Sequence, residues 1–162
     1  MLIPLPEFTL IHVLLSVVGI LAGLVVIGGL ISGSRLDSWI GIFLTTTILT
    51  NATGFFFPFA RILPSHIVGG ISLVILPIAM AALYWKHLAG GWRRVFVVTT
   101  VIAVYFNVFV LVVQLFQKFP LLIAVAPTQQ SPAFAVSQLI VLGLFVGLGR
   151  AALHGFRAEM AN

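Results

Sequence analysis

The 162-residue chain is 61% hydrophobic and only 7% charged, against roughly a quarter charged in an ordinary soluble domain, so its outer surface must face lipid. Its net charge of +5 rests on eight Lys and Arg that never form a run, which points to membrane lipids rather than nucleic acid as partners. With no cysteine, disulfides, thiolate metal sites and cysteine nucleophiles are excluded, and the length leaves room for one domain, residues 1–162, without a separate soluble unit.

The first apolar run covers residues 8–31. No basic stretch precedes it and no small-residue cleavage site follows, so it reads as a retained helix rather than a signal peptide. Arg35, Asp37 and Ser38 mark a short loop. A second run, rich in Thr, covers 39–59 and is broken by Arg61, Pro64 and Ser65. The third covers 66–85, and the polar stretch 86–94 is a loop. The fourth covers 95–117 and the fifth 134–153. Each has about 20 residues, the length a helix needs to cross a hydrocarbon core of roughly 30 Å. The runs are continuously apolar rather than alternating, which favours helices over barrel strands. The expected fold is an all-α membrane protein, a bundle of five transmembrane helices.

Five crossings divide the cations six against two. Arg35, Lys86, Arg93, Arg94, Arg150 and Arg157 fall on one side, Arg61 and Lys118 on the other. The positive-inside bias puts the N-terminus outside and the C-terminus in the cytoplasm. Trp39, Trp85 and Trp92 fall at helix ends on the basic side, where an indole sits among headgroups. The external connection 118–133 contains an apolar stretch, 119–127, too short to cross. Pro120 can start a short helix and Pro127 end it. It reads as an interfacial segment, either resting among headgroups or acting as a lid over a site.

Buried polarity is uneven. His12, Ser16, Gly19 and Gly23 share one face of the first span. Gly19 and Gly23, Gly29 and Gly33, and Gly143 and Gly147 form small-xxx-small pairs suited to close helix packing, within this chain or against another. Thr47, Asn51, Gly54 and Pro58 share a face of the second span, Asn107 and Gln114 one of the fourth, and Gln138 lies near the outer end of the fifth. With chain direction taken into account, His12, Asn51, Thr53, His66, Gln114 and Gln138 lie in the outer half, with Asn107 near mid-depth. An amide in hydrocarbon needs a partner, so these faces point inward. They either join helices or line an outward-opening pocket for a lipophilic molecule with a polar head.

His12 and His66 are at like depth and could ligate a b-type haem, hold a quinone carbonyl, bind a metal or simply be satisfied by Ser16 or Glu7. His87 and His154 sit among basic residues and read as solvated. No Asp or Glu lies within a span, which argues against an ion-coupled transporter. No phosphate-cradling loop, no His-Glu-x-x-His and no activated Ser is present, so no catalytic residue or metal site is assigned.

The stretch Thr53-Gly54-Phe55-Phe56-Phe57-Pro58-Phe59, with Pro64-Ser65-His66 and Ile71-Ser72-Leu73, resembles small multi-pass bacterial inner-membrane proteins of unknown function. The resemblance implies a bacterial cytoplasmic membrane, supplies no activity, and raises His66 as a site candidate. Two function classes follow. One is a non-enzymatic accessory subunit of a larger membrane complex, or a self-associating homo-oligomer. The other is a small redox or ligand-binding protein that holds quinone or haem b on its outer side. A channel is a third class.

Overall fold

The apolar runs become helices because lipid offers a backbone no partner outside its own segment. The computed structural model describes residues 5–57 and 64–158. They form α1 (Leu5–Ile31), α2 (Asp37–Gly54), α3 (Pro64–Met80, continued by a π-helical turn Ala81–Trp85), α4 (Trp92–Lys118), α5 (Pro120–Val125) and α6 (Pro132–Ala158). The described residues contain no strand. Pro64, Pro120 and Pro132 each open a helix, where a missing N–H costs nothing. Pro58, Phe59 and Arg61, expected to end the second span, and Glu159 of the tail lie outside the described residues.

Four helices are long and apolar enough to cross a membrane: Pro6–Ile31, Pro64–Trp85, Trp92–Lys118 and Pro132–Phe156. The expected second span differs. As α2 it ends at Gly54 rather than near 59, and seven of its 18 residues are Ser, Thr or Asn. Asp37, expected in a loop, is instead the first residue of α2, where a negative charge suits the helix dipole. Its carboxylate also pairs with Arg35 at 2.6 Å. Arg93 and Arg94 likewise belong to the first turn of α4, and α6 runs on to Ala158 rather than stopping near 153.

α1 packs against α2, α4 and α6, and α3 against α4 and α2. The main core gathers Val26, Ile27 and Leu30 of α1, Ile40 and Phe43 of α2, Leu76 and Ala79 of α3, Phe96, Val97 and Val104 of α4, and Ala152 and Phe156 of α6. All lie in the half of the bundle that ends in Arg35, Lys86, Arg93, Arg94 and Arg150. There, His87 and Leu88 take left-handed φ values of 47° and 59°. That turn folds Leu88 back into the core, its N–H donating to the Ala82 carbonyl at 3.0 Å.

The glycines divide by what they face. A Cβ on Gly23 would stand 2.5 Å from Val104 Cγ2 and 3.0 Å from the Phe43 ring, so α1, α2 and α4 meet there only because it is glycine. Gly19 abuts the Thr46 and Thr47 hydroxyls. Gly29 and Gly33, read as a helix-packing pair, serve the turn after α1 instead. Gly29 faces Leu36 and the Ser34 carbonyl, and Gly33 has φ +81°. Gly143 and Gly147 have nothing within 4 Å, so α6 turns that pair away from the rest of this chain. Its close approach is made at Gly155, against the carbonyl of Ile31.

Candidate functional site

Toward the other end the packing loosens. None of residues 6–18 of α1 is buried, whereas most of the residues from Gly19 to Leu30 are. The helices part around a cavity of about 540 Å³ walled by α1, α2, the start of α3 and the C-terminal half of α4. That volume is within the usual range for a small-molecule site.

His12, Asn51, His66, Asn107 and Gln114 all line this one cavity. Gln138 does not; its Nε2 donates to the Phe109 carbonyl at 3.2 Å, which ties α6 to α4 elsewhere. His87 and His154 are exposed at the basic end. The cavity wall also includes Ser16, Thr50, Thr53's neighbour Gly54, and Lys118 at the end of α4. Among the described residues that line it, Lys118 is the sole Lys or Arg and no Asp or Glu appears. Val13 and Val17 of α1 and Leu111 of α4 line the cavity yet are 43%, 42% and 36% exposed, so the wall between α1 and α4 is open.

His12 is held from α2. Its Nδ1 lies 2.9 Å from Thr53 Oγ1. The Thr53 hydroxyl gives its hydrogen to the Leu49 carbonyl at 2.7 Å, with the Thr50 carbonyl at 3.1 Å, as threonines in helices commonly do. With that hydrogen so placed, Thr53 Oγ1 is left to accept, which assigns the ring hydrogen of His12 to Nδ1. The partner is neither Ser16 nor Glu7; Ser16 instead donates to the carbonyl of His12 at 2.8 Å. Phe57 meets the imidazole edge-on at 5.1 Å, and the Phe8 ring packs on Phe57 with centroids 4.9 Å apart. Phe55 stacks at a tilt on His66, centroids 5.9 Å apart. The two histidines thus sit at an aromatic rim.

At the floor, Asn107 Nδ2 donates to Thr47 Oγ1 at 3.2 Å, joining α4 to α2, and Asn51 Nδ2 donates to the Thr47 carbonyl at 2.9 Å. Thr47 is fully buried. Below it the Phe43 and Phe96 core closes the bundle. Thr50 is only 8% exposed, and its Oγ1 has no hydrogen-bond partner. A buried hydroxyl without a partner is costly, and the same holds for Ser72 and Thr100; Thr50 lines the cavity, but its oxygen is itself enclosed. Thr50 and Lys118 are absent from the sequence-derived candidates, although Lys118 follows Gln114 by four residues and shares its face.

A second cavity, of about 610 Å³, lies beneath α5 and the turn after it, among Phe116, Ile123, Ala126, Gln129 and Phe134. α5 contributes to this groove and not to the histidine cavity, so it does not roof the latter. Among the described residues no group of three His, Asp or Glu side chains gathers to hold a metal ion. No protein-family model matches this chain, and neither curated proteins nor solved structures gave a match.

Proposed function

We propose that this chain is a multi-pass protein of a bacterial cytoplasmic membrane that binds a lipophilic molecule by its polar head, in the cavity between α1, α2, α3 and α4. In this reading α2 is the fifth crossing. Its 18 residues reach about 27 Å at 1.5 Å each, and Thr47, Thr50 and Asn51 turn into the bundle, the last two at the cavity. The basic end is cytoplasmic and the histidine end faces outward. One observation carries the proposal: five separated polar residues on four helices converge on one cavity. Glue between helices accounts for Asn107 and Thr47, but not for an open space of that size.

The open wall between α1 and α4 supports entry from the bilayer itself. The packed basic half supports a blind pocket rather than a pore. Quinones, prenols and lipids all fit the combination of apolar wall and polar floor. Solvent extraction of detergent-purified protein, with an absorbance spectrum, tests the proposal. A bound lipophile supports it, and a Soret band would replace it with a b-type haem held by His12 and His66. A colourless protein without any extractable lipophile counts against both. Self-association, alone or within a larger membrane complex, is a second reading. It rests on Gly143 and Gly147, which give α6 a bare small-residue face.

A further inference from the structure

We infer that the head bound in this cavity is a hydroxyl, of the prenol or hydroquinone class, which donates its hydrogen to Nε2 of His12. The inference rests on the ligand-binding reading above and specifies its chemistry. The hydrogen-bond chain from His12 through Thr53 to the Leu49 carbonyl assigns the hydrogen to Nδ1. A neutral imidazole in that tautomer offers a lone pair at Nε2, and Nε2 has no partner among the described residues.

Nε2 needs a donor. A hydroxyl supplies one, giving its hydrogen to the ring. A quinone or ester carbonyl can only accept, which leaves its lone pairs facing that of Nε2. A carboxylate has the same mismatch with added charge. Lys118, in the last turn of α4, lines the same cavity and could balance that charge, but a carboxylate still brings no hydrogen to Nε2. An alkylammonium donates, but no carboxylate lines the cavity to balance it. The apolar wall formed by Val13, Val17, Ile20 and Phe106 suits an isoprenoid or acyl tail.

The test uses three probes with one C20 tail: geranylgeraniol, its methyl ether and geranylgeranoic acid. Each displaces tritiated geranylgeraniol from the full chain in nanodiscs. The ether and the acid are expected to bind at least about fivefold more weakly than the alcohol, the worth of one net hydrogen bond. His12→Phe should bind alcohol and ether equally, with the ether's affinity unchanged from wild type, which also reports that the variant is folded. Independently of any variant, nitrogen NMR of histidine-labelled wild type should show the Nδ1–H tautomer and an Nε2 signal that moves with the alcohol but not the ether. Equal binding of the ether or the acid, or an Nε2–H tautomer, overturns the inference. If another lipophile co-purifies and none of the three probes displaces it, the inference falls while the ligand-binding reading stands. If the protein takes up no lipophile at all, both fall.

Discussion

Gly155→Ala tests whether the basic half of the bundle is clamped as described. The added Cβ would overlap the carbonyl oxygen of Ile31 and lie 2.6 Å from its carbonyl carbon and 2.9 Å from its Cα. These are backbone atoms at the last residue of α1, so no rotamer change relieves them. Carbon atoms sit comfortably at about 3.5–4.0 Å, so α6 must move off α1 by roughly 1 Å. Overpacking of this kind costs about 1–3 kcal/mol. Gly143→Ala and Gly147→Ala are the controls. With open space around both positions, they gain up to about 1 kcal/mol of helix propensity and lose nothing. The two kinds of variant should therefore differ by about 2–4 kcal/mol, read as unfolding in detergent followed by circular dichroism. Equal stability of Gly155→Ala and Gly143→Ala would falsify the close α1–α6 contact.

Three further outcomes are expected. A double-mutant cycle of Asn107→Leu and Thr47→Val should give a coupling of about 0.6 kcal/mol, typical of hydrogen bonds between membrane helices; a coupling of zero means α2 and α4 are not joined there. Thr53→Val releases Nδ1 of His12, so geranylgeraniol affinity should fall several-fold while stability changes by less than about 1 kcal/mol, and unchanged affinity would show that the Thr53 contact does not orient the ring. Because the chain has no cysteine, single cysteines report sidedness against a clean background. Ser34→Cys and Ala89→Cys should react with impermeant maleimide only after cells are opened, and Gln130→Cys in intact cells. The opposite pattern reverses the orientation.

The gathering of polar residues at one end was legible because it needs only span direction and depth. Spans running in opposite senses bring His12, Asn51, His66 and Gln114 to one level whatever their neighbours are. Which of them share a cavity depends on how each helix is rotated about its axis, and single polar residues fix that poorly. Gln138 shows the difference, matching the others in depth while its amide meets the Phe109 carbonyl. The glycine pairs divide for the same reason. Identical spacing at Gly19 and Gly23 meets α2 and α4, while at Gly143 and Gly147 it meets nothing in this chain. The spacing of Ala151 and Gly155 carried an equal signal for the contact that matters on α6. The partner of His12 was hidden because Thr53 lies 41 residues away, and local neighbours such as Ser16 are easier to see than cross-helix ones. The N-terminus of α2 went unread because Asp37 resembles a loop residue until its role in the first helical turn is considered.

Native mass spectrometry of the protein released from detergent tests the central claim most directly. Wild type should carry one lipophile per chain. Val110→Trp, which places an indole into the cavity wall, should lose that mass while unfolding no earlier than wild type. A wild-type spectrum of bare protein under conditions that keep it folded, or an adduct that Val110→Trp retains in full, contradicts the account.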